Sequence, residues 1–330
     1  MKKLFFFLTI SSLLFMSCDS NNEPDHVDPE PTVAPATYSF LRDGVTTVSY
    51  SGQSTRIAMG QEFVSALKDE TKTETQLDGM FDHQEGASDF SDTNLNASSK
   101  NVRSKTAGSA DYFSSNSTDA NAIKANFDSW ISSQVNDVFP NWGNTASPGN
   151  AGLAQELGGS IRYVNEKGLE YNQAFAKSLN GAFLADQICN NYLSAAVLDA
   201  GDNVTNNDND VLVDGKDYTT MEHKWDEAFG YLYGAEEDET SPVLGVDSFL
   251  NKYLDKVEGD SDFAGIADDI YNAFKLGRAA ISHSAPDADL RDAQSVIIKS
   301  ELSKVIAAKA VGYLETSADL LESEGGVSAE

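Results

Sequence analysis

Apolar and polar residues alternate on three different length scales along this chain. Leu4 to Phe15 is a largely apolar run of about a dozen residues, too short and too soon followed by polar residues to cross a bilayer as a helix. Asp19 to Pro35 (DSNNEPDHVDPEPTVAP) then has almost nothing to bury. Thr37–Tyr50 (TYSFLRDGVTTVSY) alternates apolar and polar positions on either side of Asp43–Gly44, the turn signal of a β-hairpin. Thr55 to about Glu70 reads as a helix with Ile57, Phe63, Val64 and Leu67 facing inward. Residues 85–118 are rich in Ser, Asn, Asp and Gly and predict a long surface loop. From Asp119 onward the period is helical, over roughly 119–138, 152–193, 219–235, 246–257, 262–283 and 286–323. No strand-like alternation of any length follows residue 50. The pattern predicts an all-α domain, one or more large up-and-down helical bundles, with a small N-terminal β-hairpin.

The first eighteen residues, MKKLFFFLTISSLLFMSC, have the form of a lipoprotein signal. Lys2 and Lys3 supply the positive start, and Ser17–Cys18 is a small-residue-then-Cys junction at which cleavage leaves Cys18 as a lipidated N-terminus. The expected organisation is therefore a signal peptide over 1–17, an extended tether over 18–36 and a helical domain over 37–325. The expected location is the outer membrane of a double-membrane bacterium, with the domain facing the periplasm or the cell surface.

Charge and cysteine content narrow the partners. About 295 residues follow the linker, enough for one large core or two packed bundles. The chain carries 52 acidic and 23 basic residues, a net charge of −29, and loss of Lys2 and Lys3 with the signal makes it more negative still. Nucleic acid and anionic lipid headgroups would be repelled. Cysteine occurs twice, at Cys18 and Cys189, so a lipidated Cys18 leaves no intramolecular disulfide, and Cys189 reads as a packed residue of a long helix.

The segments YSFLRDGVTTVSYSGQSTRIAM, RYVNEKGLEYNQAFAKSLNGAFLADQICNNYLS, MEHKWDEAFGYLYG and AFKLGRAAI resemble a family of exported Bacteroidetes lipoproteins of undefined function, from about residue 37 to 325. More distantly the chain is similar to imelysin-like proteins, the insulin-cleaving membrane protease group. That resemblance implies two packed helical bundles, an iron-uptake-type role and a Gly-x-His-x-x-Glu metal motif. The counterpart here is Met221-Glu222-His223-Lys224-Trp225-Asp226, which lacks the glycine and places Asp226 where the glutamate belongs, with Glu227 one residue late.

At 100° per residue, Met221, Trp225, Ala228, Phe229 and Leu232 form one apolar stripe, with His223, Glu227 and Gly230 opposite and Asp226 beside them. His223 and Glu227 are i,i+4 neighbours able to reach one cation or each other. A site of His223, Asp226 and Glu227 would suit Fe, Ca or Mn, completed from elsewhere; a solvated helix face is the plainer reading. Elsewhere, Glu301 falls among Ile297, Ile298 and Val305, Arg278 beside Phe274 and Ile281, and Asp186 and Asn190 on the face of Leu179 and Phe183. An unpaired buried carboxylate is costly, so Arg278 is expected to pair with one of these acids in a buried network.

The Asp- and Asn-rich stretch from Asp199 to Asp217 has the odd spacing of a calcium loop at Asn206, Asp208 and Asp210, but Val211 stands where glycine is needed. Glu166, Glu170, Gln173 and Lys177 read as a solvating stripe, and His26, His83 and His283 have no patterned partners. No phosphate loop, Gly-x-Ser-x-Gly elbow or His-Glu-x-x-His motif occurs. The expected function is a non-catalytic binding lipoprotein that captures a metal ion, a metal complex or a surface protein. The alternative is a metal-dependent peptidase or hydrolase built on His223 and nearby carboxylates.

Overall fold

Two successive left-handed residues, Asp43 at φ 53° and Gly44 at 82°, turn the chain between β1 (Leu41–Arg42) and β2 (Val45–Thr46), with Leu41 opposite Thr46 and Arg42 opposite Val45. This is the hairpin that the Asp-Gly signal predicts. A computed structural model describes residues 31–323 apart from 157, 158, 237 and 239. The signal segment, Cys18 and His26 lie outside the described residues.

The rest is a helical bundle, and the all-α expectation holds. α1 (Ser51–Ala66) buries Ile57, Met59 and Phe63 along one face. α2 (Glu74–Phe81) starts at a capping box in which Thr73 and Gln76 satisfy each other's backbone amides. After α3 (Thr93–Asn96) and α4 (Ser117–Ser133) come α5 (Tyr171–Leu179), α6 (Ala195–Leu198) and α7 (Asn203–Asp208). The set is completed by α8 (Thr220–Tyr233), α9 (Leu250–Glu258), α10 (Ile266–Ser282) and α11 (Ala288–Ser323). α8 packs on α1, α10 and the π-helical extension of α5, and α10 runs against α11.

Glycines set two of these contacts. A Cβ on Gly230 would lie 2.4 Å from Tyr50 Cβ, and one on Gly277 would lie 2.1 Å from the Trp225 ring. The missing side chains let α1 and α10 close on α8, and Trp225 donates its indole N–H to the Phe274 carbonyl at 3.0 Å. Gly230 therefore accommodates Tyr50, at the head of α1.

Three segments depart from the expected pattern. The helix expected to begin at 152 is preceded by a second hairpin, β3 (Gly152–Gln155) on β4 (Ile161–Val164). Gly159 and Gly168, at φ 110° and 82°, interrupt helical geometry there, and Trp142 stacks on Tyr163 with ring centroids 3.3 Å apart. The 85–118 stretch is not a solvated loop, because it buries Phe90, Leu95, Val102 and Ala107. From Asn180 to Tyr192 the α5 helix continues with π-helical pairing, which turns Asp186, Gln187 and Asn191 toward that same stretch.

Candidate functional site

α8 carries two rows of polar side chains that the fold uses differently. Its first turn is capped by Thr219, whose hydroxyl accepts from the Glu222 amide while Glu222 accepts from the Thr219 amide at 2.7 Å. One turn on, Asp226 points into the space between α8, α10 and the N-terminal hairpin. Arg278 enters from α10 and donates from Nε to Asp226 at 2.9 Å, from Nη1 to Glu222 at 3.0 Å and from Nη2 to Thr47 at 2.9 Å. Ser282 also bonds Nη1 of Arg278 and donates to Glu222. Arg42, on β1, donates to Glu222 at 3.0 Å, and Asp226 also accepts from the Tyr38 hydroxyl at 2.6 Å and the Ser49 amide at 3.2 Å.

Two arginines and two carboxylates thus neutralise one another, with the Arg278 and Asp226 side chains fully buried. Burial lifts the Asp226 carboxyl to about 6, against the pull of Arg278 and Tyr38. Burial acts on Glu222 in the same sense, but Arg278, Arg42 and the Thr219 amide outweigh it and bring the carboxyl down to about 2. The expected buried network around Arg278 exists, with different acids. Glu222 and Asp226 are its partners, while Glu301 and Asp186 are not. The buried stripe of α11 is Ile298, Leu302 and Val305, with Ile297 38% exposed. That phase puts Glu301 at the margin, where it pairs with Lys304 at 2.7 Å. Asp186 accepts from the Gly108 and Ser109 amides at 3.2 and 3.1 Å and from Asn190 at 3.1 Å, clamping the 105–111 segment onto the π-helical stretch.

The second row of α8 faces α1. His223 stands 3.9 Å from Glu227, as the i,i+4 spacing implies, but its Nδ1 bonds the Ser49 carbonyl and its ring stacks on Tyr218. Glu227 accepts from Lys224 at 2.7 Å and Gln53 at 3.0 Å. Burial keeps the His223 imidazole below its usual range despite Glu227; burial also works against the Glu227 carboxylate, yet Lys224 and His223 hold it below its usual range. His223, Asp226 and Glu227 therefore each have internal partners. Among the described residues no group of three or more His, Cys, Asp or Glu side chains is arranged to hold a metal ion. In the Asp199–Asp217 stretch, Asp199 pairs with Arg291 at 2.7 Å and Asp210 with Arg42 at 3.3 Å. Burial pushes the Cys189 thiol up to about 12, where it is inert.

Where the α8 network is closed, a cleft elsewhere in the bundle is open. α4, α5 with its π-helical extension, α9 and α11 surround a cavity of about 480 Å³. Ile123, Phe127 and Trp130 form one wall and Ile306 with Ala310 another. Lys177 and Lys309 also line it, with their ammonium groups 3.9 and 4.9 Å from the Tyr313 ring centroid, and neither has a carboxylate within ion-pair distance among the described residues. Tyr253 and Tyr313 meet hydroxyl to hydroxyl at 3.3 Å. Asn180, 3% exposed at the start of the π-helical stretch, donates from Nδ2 to the Lys177 carbonyl, while its Oδ1 has no donor.

None of these cleft residues stood out in the sequence as a group. The available signal was the i,i+4 pair Lys309 and Tyr313 on one face of α11, and Lys177 read only as part of a solvating stripe. A second recess of about 570 Å³, beside α1 and the end of α8, is lined by Ser49, Ser51, Ser54 and Thr55, with Glu236 its charged residue among those described. Among the described residues it presents no buried acceptor without a partner.

No curated protein and no solved structure matches the chain. Over residues 35–329 it matches the model of the DUF4856 family, a domain of unknown function, and it belongs to that family.

Proposed function

We propose that this protein is a membrane-tethered, non-catalytic binding lipoprotein, held at the outer membrane through Cys18, whose helical domain captures a small organic ligand in the cleft between α4, α5, α9 and α11. The observation that carries the reading is the cleft itself. It is of ligand size, mostly apolar, and lined by two lysines whose ammonium groups rest on the Tyr313 ring without a carboxylate partner among the described residues. The resemblance to exported Bacteroidetes lipoproteins supports the tether and the location.

The hydrolase alternative and the iron-uptake role implied by the imelysin-like resemblance both draw on His223 and the carboxylates near it. Those side chains are engaged in internal hydrogen bonds, which favours an organic ligand in the cleft over metal chemistry on α8. Gly181 lines the cleft, and a Cβ there meets nothing within 4 Å, so Gly181→Trp is the variant chosen to obstruct the cleft, with an unchanged melting temperature of the ligand-free protein as its control. A thermal-shift screen of organic compounds should give stabilising hits with the wild type that vanish with Gly181→Trp. Hits that persist in the filled variant place the ligand site elsewhere. Cys18→Ser should move the protein from the membrane fraction to the soluble exported fraction, and unchanged membrane association would refute the tether.

A further inference from the structure

We infer, resting on the reading of the cleft as a ligand site, that its ligand is an aromatic carboxylate: a planar ring body bearing one acid group. Each part of that description answers a separate feature of the cavity. The walls at Phe127, Trp130 and Ile306 offer apolar and aromatic surface to a ring.

The carboxylate answers Lys177 and Lys309. In a chain of net charge −29, two neighbouring lysines without acids are out of keeping with their surroundings, and the Tyr313 ring holds both ammonium groups at the cavity. An aromatic face compensates a cation only in part, so both groups keep the capacity for charge-assisted hydrogen bonds to an anion. The Tyr313 phenol reports the same local field: burial works against its ionisation, yet Tyr253 and Lys177 hold it below the usual tyrosine range. Because the protein as a whole repels anions, these two lysines must supply the attraction locally.

The test is calorimetric titration of the purified full-length chain with two probes: a naphthoate and the naphthol that carries a hydroxyl in place of the carboxylate. The naphthoate should bind, and naphthol should bind roughly tenfold more weakly, the loss expected for one hydrogen bond to a charged partner. The double variant Lys177→Met/Lys309→Met should weaken the naphthoate by roughly tenfold or more and leave naphthol unchanged. Its melting temperature should match the wild type, since neither lysine makes an ion pair. Naphthol binding as tightly as the naphthoate, or a double variant that binds the acid as the wild type does, would overturn the acidic-ligand inference and leave the cleft reading standing. Failure of both probes to bind would also overturn it, and the Gly181→Trp comparison with the wider compound screen then decides separately whether the cleft is a site at all.

Discussion

The two polar regions of this bundle differ in what they leave unsatisfied. Around Arg278, every carboxylate has its cation, and the donors come at once from α10, from Arg42 on β1 and from Tyr38 and Ser49 on either side of the hairpin. Around the cleft, two ammonium groups lack acids and a buried amide oxygen lacks a donor. A closed network gives up its binding capacity to hold the fold, while an open one keeps that capacity for something outside the chain. Charge density on its own would have pointed to the first region, and partner accounting points to the second.

The largest expected effect belongs to the closed region. Arg278→Met should destabilise by about 3–5 kcal/mol in a denaturant titration, because it leaves Asp226 and Glu222 buried without their shared cation. If both regions tolerate loss of a cation equally, the contrast between them fails. The cost should be smaller near pH 5 than near pH 7.5, since an Asp226 freed of Arg278 escapes part of the penalty by taking up a proton. Combining Arg278→Met with Asp226→Leu should recover part of the loss, and strict additivity would show that the pair does not interact.

Next in size is the pH dependence of the same network. Asp226 titrates near 6 in the folded protein and near 3.9 when unfolded. Between those values the folded state holds the proton more tightly. Its contribution is fully present below about pH 4 and is lost as pH rises through about 6, a change of about 3 kcal/mol. Glu222 acts in the opposite sense. Its carboxyl lies at about 2 in the fold, so its contribution is gained as pH rises from there toward the unfolded value of about 4.3. Denaturation midpoints measured from pH 2 to 8 should show the acid-side gain and then the decline, and Asp226→Asn should abolish only the decline.

Asp186→Ala should cost about 1–3 kcal/mol, because the Gly108 and Ser109 amides lose their acceptor; hydrogen exchange at those amides should speed up in step. The smallest effects mark the open region and its margin. Lys177→Met, Lys309→Met and Glu301→Ala should each stay within about 0.5 kcal/mol. A large loss from either lysine variant would make the cleft cations structural and remove the difference between the two regions.

The limits of the sequence follow the range of each interaction. The Asp43–Gly44 turn, the span of α8 and the period of α10 and α11 were legible because local backbone preference and side-chain spacing decide them. The His223–Glu227 proximity was legible for the same reason. The hairpin after residue 152 was missed because its strands are four residues each, too short for alternation to outweigh the helical composition around them. The acids were assigned to the wrong partners because burial depends on helical phase, and a small error in phase moved Glu301 inward on paper while leaving Asp226 at the edge.

By itself, then, the sequence determined the all-α class, the first hairpin and the approximate spans of the longer helices α4, α8, α10 and α11, all set within a few residues of each other along the chain. Tertiary structure alone decided that Arg278 meets Glu222 and Asp226, since that pairing follows from how closely α10 can approach α8 at Gly277. It alone ordered the 105–111 segment, whose amides find Asp186 some 77 or 78 residues away. It alone made the cleft, because Asn180, Lys177, Tyr253 and Lys309 share a wall only after four helices have packed. Which polar groups remain without partners is a property of that packing, and no local pattern encodes it.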